Sequence, residues 1–231
     1  MAERHILAGD PPIEVELREN SQARRLTLRV ASRDGRVTLT MPRGTRVATA
    51  LDFAQERRGW LLKHLSRVAP EERVEIGGDI PIEGRMLKVL VGEGRAPEVT
   101  EDAFLVPKRA AATPGRAVTA FLKLRARDRL TEASDRYAAA LRRRYSRITL
   151  RDTRTRWGSC SSAGALMYSW RLAMAPPAVL DYVAAHEVAH LVEMNHSPAF
   201  WANVARICPD YEIHRRWLRD NGTALQRIVL D

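Results

Sequence analysis

His186-Glu187-Val188-Ala189-His190 carries the strongest chemical signal in the sequence, and His196 follows six residues later. Residues four apart on a helix differ by roughly 40° of rotation, so His186 and His190 leave one face a turn apart and can share one ion. Glu187 lies beside them, placed to hold water at that ion. Zinc lowers the pKa of a bound water from about 16 to about 7 and polarises the carbonyl or phosphoryl group under attack. The pattern therefore predicts a zinc-dependent hydrolase. In it Glu187 takes the water's proton and passes it to the leaving group, as general base and not as ligand.

The setting argues against a chance match on a charged helix. Between Pro176 and Met194 the sequence is almost wholly apolar apart from Asp181, the two histidines, Glu187 and Glu193, so the helix belongs in the core. Imidazoles and a carboxylate buried without partners are costly, whereas a bound cation satisfies all three. Asn195 reads as a left-handed helix stop, and Ser197-Pro198 as an N-cap and first-turn proline opening a helix through Phe200, Trp201, Val204 and Ile207. His196 then sits in a tight reversal from which its ring can swing back. Three protein ligands with a fourth position left for water is the arrangement of a catalytic site. The rivals for third ligand are Glu193, poorly directed on the same helix, Glu212, which would give a two-His, one-Glu site, and His214, more simply a surface residue beside Arg215 and Arg216.

Elements that could position these residues follow from periodicity. Leu26, Leu28 and Val30, then Val37, Leu39 and Met41, alternate about Asp34-Gly35 as a hairpin. Thr45 caps a single helix to about Val68. Strands are predicted near Arg73 to Ile76, Ile80 to Ile82, Arg85 to Val91 and Phe104 to Val106. Thr113-Pro114 opens a long helix to about Arg144, followed by short strands at Arg147 to Arg151, Arg156 to Cys160 and Ala165 to Leu172, and Pro176-Pro177 starts the histidine helix. Ile228 to Leu230 reads as a final strand. Long helix, small sheet, histidine helix and closing helices are the layout of a compact zincin-like α+β domain, expected over residues 111–231 after a β-rich region of residues 1–110 with one helix.

Composition bounds the rest. The 231 residues suit one large domain or two small ones. No apolar run reaches the roughly 18 residues of a membrane helix, and Met1 to Pro12 lacks the apolar stretch of a signal peptide, so no membrane partner and a cytoplasmic location are expected. Cys160 and Cys208 are too few for a disulfide framework and read as reduced thiols. The net charge of +10 is carried almost wholly by arginine, lysine occurring only at positions 63, 88, 108 and 123. Such a surface could attract nucleic acid, nucleotides or acidic proteins, although the clusters Arg125 to Arg129 and Arg142 to Arg147 fall where helices usually carry a solvated face.

A second dense cluster, Arg154-Thr155-Arg156-Trp157-Gly158-Ser159-Cys160-Ser161, precedes the histidine helix. A sheet edge there can pair with an extended peptide, Trp157 and Gly158 offering a flat wall and close backbone approach, and Arg154 and Arg156 can clamp a carboxylate or phosphate. Arg154, Arg156, Trp157 and Ser159 are the candidate substrate-binding residues. The plainer alternative packs Trp157 and Trp170 in the core and turns the arginines to water.

Together, Thr153 to Ser162, the predicted strand Trp170-Arg171-Leu172, Ala175-Pro176-Pro177, His186 to His190, Asn195-His196-Ser197 and Phe200-Trp201 resemble the YgjP-like metal-dependent hydrolases, relatives of the SprT-like metallopeptidases. The resemblance runs from about Arg24 to Gly222. It implies a zincin-type catalytic domain in which His186, His190 and His196 hold the metal and Glu187 is the general base. Three functions remain open. The first is a metallopeptidase acting on a peptide or protein. The second is a metal-dependent hydrolase of nucleotide phosphoanhydrides, whose site would suit Mg²⁺ or Mn²⁺, although three imidazoles favour Zn²⁺ or another divalent transition metal. The third is a DNA-associated SprT-like protein with a basic binding surface.

Overall fold

The computed structural model describes residues 3–31, 34–66, 72–153 and 155–230. Contacts divide the chain into two compact units, Met1–Glu71 and Glu72–Asp231.

In the first unit, β1 (Glu3–Leu7), β2 (Ile13–Asn20), β3 (Thr27–Val30) and β4 (Val37–Pro42) form a sheet in the order β1-β2-β4-β3. Leu28 faces Leu39 and Val30 faces Val37 across the antiparallel β3–β4 pair, the hairpin expected from their alternation, with Gly35 at φ 68° in its turn. The expected single helix is two, α1 (Val47–Glu56) and α2 (Arg58–Leu65), separated at Arg57 with φ −100° and ψ 14°. Arg46 rather than Thr45 is the N-cap, and it makes no side-chain cap bond; Val68 lies outside the described residues. Ala50, Ala54 and Leu61 close over Val15, Val37 and Leu39.

The second unit begins with β5 (Glu72–Arg73), β6 (Asp79–Ile82), β7 (Arg85–Gly92), β8 (Glu98–Val99) and β9 (Ala103–Pro107), of which the last four form a sheet in the order β6-β7-β9-β8. This sheet has no core of its own. Ile80, Ile82, Leu87, Val89, Phe104 and Val106 share one buried cluster with Val118, Leu122 and Leu130 of α3 (Pro114–Ala140). The β6–β7 turn is also clamped: Glu83 receives two hydrogen bonds from Arg125, at 2.9 and 3.2 Å.

Beyond α3, β10 (Arg147–Arg151), β11 (Gly158–Cys160) and β12 (Ala165–Ser169) form a sheet in the order β10-β12-β11, leaving β11 at an edge. The strand expected to continue through Leu172 turns at Trp170 into a 3-10 helix, Trp170–Met174. The reason is Arg171. Only 4% exposed, it donates to both carboxylate oxygens of Asp152, at 2.7 and 3.1 Å, and to the carbonyls of Leu225 and Ile228, at 2.9 and 2.8 Å. A guanidinium needs such partners on several sides to be buried, and a continuing strand would point it away from them. The helices α4 (Pro177–Ala189), α5 (Pro198–Ile207) and α6 (Tyr211–Arg227) follow. Finally β13 (Ile228–Val229) pairs in parallel with β5. Mixed helices and small sheets make this an α+β structure, and among the described residues no helix is long and apolar enough to cross a membrane.

Candidate metal centre

Helix α4 starts at paired prolines, Pro176 at the N-cap and Pro177 in its first turn, where a missing N–H costs nothing. Val179, Leu180, Val183, Ala184, Ala185, Val188 and Ala189 are buried around it, so it runs through the core as its composition requires. It ends at Ala189, but His190 continues with near-helical φ −63° and ψ −18°, which keeps the rotational relation between His186 and His190. The reversal that follows is not made by a left-handed Asn195, since among the described residues only Glu83 and Arg142 are non-glycine residues with positive φ. Instead the Asn195 side chain accepts a 2.9 Å bond from the Ser197 N–H, and the Ser197 hydroxyl accepts one from Phe200 N–H at 3.3 Å, capping α5. Two polar side chains thus do the work of a strained backbone.

This reversal brings His196 back to α4. Its Nε2 lies 3.1 Å from Nε2 of His186, and one ligand atom from each of His186, His190 and His196 falls within 4.8 Å of the others. Nitrogens bound to one tetrahedral ion at about 2.0–2.1 Å stand roughly 3.3 Å apart, so the His186–His196 pair is already near that spacing. His190 Nδ1 donates to the carbonyl of Glu193 at 3.0 Å, which leaves the Nε2 lone pair free and fixes the ring. Glu193 therefore contributes its backbone to His190 and its carboxylate does not join the cluster; Glu212 accepts from the Tyr211 hydroxyl, and neither it nor His214 belongs to the group.

Phe200 is the floor of this arrangement, a role that the sequence signalled only through its place on the apolar stripe of α5. Fully buried, its ring centre lies 4.9, 4.5 and 4.8 Å from those of His186, His190 and His196. Burial, reinforced by the neighbouring His190, His196 and Arg215 charges, pushes the His186 pKa down to about 3, and burial lowers that of His190 as well. Both rings are held in the neutral form that binds metal. Among the described residues, Nδ1 of His186 is buried without a hydrogen-bond partner. The donor set thus fits a divalent ion: three imidazoles converge, one ligand atom of each lying within 4.8 Å of the others.

Glu187 follows His186 directly on α4. It is 5% exposed, and burial pushes its carboxyl up to about 8 against an opposing pull from Arg156. Gly158 of β11 covers it: a Cβ on this glycine would stand 2.5 Å from Oε1 and 2.6 Å from Cγ of Glu187. No side chain fits between strand and carboxylate.

The candidate substrate-binding residues are placed less uniformly. Arg154 lies outside the described residues. Arg156 is exposed, its carbonyl held by the Thr153 hydroxyl at 2.6 Å. Trp157 is half-buried, packs against the main core and lies against Gly222 of α6, where a Cβ would meet its indole at 3.0 Å. Ser159 is half-buried in the edge strand β11, opposite Met167. Beside it, burial and the Glu187 charge push the Cys160 thiol up to about 11, so it is protonated and a poor nucleophile near neutrality. Sequence reasoning missed Gly158 as the cover of Glu187 and Arg171 as the buried clamp at the root of this loop.

Neither a curated protein nor a solved structure matches the chain. A family does: the YgjP-like metallopeptidase domain matches residues 24–221, well over half of the sequence. A match of that extent makes the chain a member of the YgjP-like metallopeptidase-domain family.

Proposed function

We propose that the protein is a zinc-dependent metallopeptidase. The observation that carries this reading is the 3.1 Å approach of two imidazole Nε2 atoms from different elements, beside a buried carboxylate kept at high proton affinity. His186, His190 and His196 would hold the ion, and a purely imidazole set favours Zn²⁺, though another divalent transition metal would also suit it. Once bound, the ion supplies Lewis acidity, acidifying water and polarising the scissile carbonyl.

Glu187 accepts the proton of the attacking water at its carboxylate and returns it to the departing amine nitrogen. Burial raises its affinity for the proton, and a cation held by the three histidines would favour the carboxylate form that accepts it. The free edge of β11 offers main-chain hydrogen bonds to an extended peptide, with the exposed part of Trp157 as a wall and Ser159 along the edge. Arg156, and Arg154 with it, would receive a carboxylate of the substrate. Neither a nucleotide phosphoanhydride nor a DNA-bound target gains support from the family or from the described residues. The two free thiols agree with a reducing, cytoplasmic location.

The test is metal analysis of the purified protein combined with a peptide-cleavage screen. Wild type should carry about one zinc per chain and cleave; Glu187→Gln should keep the metal and lose a factor of roughly 10²–10⁴ in kcat. Full cleavage by that variant, or cleavage of nucleotides and not peptides, would overturn the proposal.

A further inference from the structure

We propose that the first unit carries a separate docking groove for an extended acidic peptide, between β3 and the helices α1 and α2. The groove has a volume of about 680 Å³ and is lined by Arg25, Leu26, Thr27, Leu28, Phe53, Arg57 and Trp60. Four of these are consecutive in the chain, Arg25 and Leu26 leading into β3 and Thr27 and Leu28 opening it. Thr27 and Leu28 belong to opposite faces of the strand, so the groove takes in the start of β3 from both faces. The outer edge of β3 is open, because β3 ends the sheet order and pairs only with β4. Outward-facing N–H and C=O groups of an edge strand are a template for another strand.

The chemistry of the walls selects the occupant. Leu26, Leu28 and Phe53 are half-buried and Trp60 is 42% exposed, which leaves an apolar floor for alternate side chains of an added strand. The Arg57 guanidinium lies 3.8 Å over the Phe53 ring; its carboxylate partner is the adjacent, highly exposed Glu56 at 3.3 Å, a weak pairing. Arg25 makes no ion pair among the described residues, and no acidic residue lines the groove. One cation with only a weak, exposed counter-charge, a second with no ion pair among the described residues, an apolar floor and a free strand edge match a short extended peptide in which acidic and apolar side chains alternate. Nucleic acid would leave the floor and the backbone edge unused.

Binding is read in the full chain carrying Glu187→Gln, so that cleavage cannot consume the probe. The probe is a fluorescein-labelled hexapeptide of alternating Glu and Leu, followed by anisotropy. Trp60→Ala and Arg57→Glu should each weaken it at least tenfold with metal content unchanged, a Lys/Leu counterpart should not bind, and N-methylation of alternate amides should abolish binding in one of the two registers. Any of the following would overturn the proposal: no binding of the Glu/Leu peptide, equal binding of the Lys/Leu peptide, unchanged affinity in both variants, self-association that Trp60→Ala breaks in place of peptide binding, or binding of a DNA oligonucleotide that the groove variants alone remove. None of these readouts depends on the metallopeptidase reading, so the two can fail separately.

Discussion

The backbone of Gly158 and the carboxylate of Glu187 adjoin with no space for a methyl group between them, a Cβ there falling 2.5 Å from Oε1. The glycine is in an ordinary strand, so the constraint is contact and not backbone conformation. Gly158→Ala should therefore displace the carboxylate or push β11 outward, at a cost of roughly 1–3 kcal/mol. Its kcat should fall more than tenfold while zinc content stays near that of wild type. Undiminished turnover with an unshifted melting temperature would show that the contact does not position Glu187.

Glu187 also sets a pH dependence. Its carboxyl holds a proton more tightly in the folded metal-free chain, up to about 8 against 4.5 ordinarily, so that chain loses stability as pH rises through this interval. Glutamine does not titrate. Metal-free Glu187→Gln should match wild type below about pH 4.5 and exceed it increasingly towards pH 8, by at most something on the order of 4 kcal/mol. Contributions of the histidines cancel in the difference. Thermal melts across that range check it, and restoring the ion should shrink the gap, because a cation favours the charged carboxylate.

Chelation offers a second handle on the centre. Removing the metal should lower the melting temperature, and readdition should restore it in proportion to RT ln(1 + [metal]/Kd). In His190→Ala the response should nearly vanish, since two ligands remain. Phe200→Leu, which keeps the ligands and removes the ring beneath them, should retain the response at weaker affinity. Equal metal affinity in all three proteins, by competition with a chromogenic chelator, would separate the imidazoles from metal binding.

Arg171→Lys should be costly although it keeps the charge. A lysine cannot reproduce the fork to Asp152 while also reaching the carbonyls of Leu225 and Ile228. A loss of about 2–4 kcal/mol in denaturant unfolding is expected, in line with breaking buried charged networks. A change under about 0.5 kcal/mol would mean that solvent replaces those partners.

Much of this was legible in the residues themselves. Histidine spacing on an apolar helix, the Thr113-Pro114 and Ser197-Pro198 starts, and the alternation of Leu28 and Val30 with Val37 and Leu39 all come from local periodicity and capping. β1 was not legible: Glu3, Arg4 and His5 bear no strand pattern, and their pairing with Val15 to Leu17 is a long-range matter. The same holds for the helix break at Arg57 and for the turn at Trp170, which is dictated by partners of Arg171 far along the chain. Gly158 was visible as a glycine, but what it makes room for lies 29 positions away. Packing partners of that separation are what periodicity cannot show.

The last strand has a reach out of proportion to its two residues. Ile228 and Val229 pair with Glu72 and Arg73, the Ile228 carbonyl holds Arg171, and the Leu230 backbone fills the space that a side chain on Gly115 would need. Arg171 in turn fastens Asp152, where the segment leading to Arg156 and Gly158 begins. A nick that removed residues from Ile228 onward would thus loosen the opening of α3, the start of the unit and the approach to Glu187 together, so that damage far from any histidine would register as lost turnover.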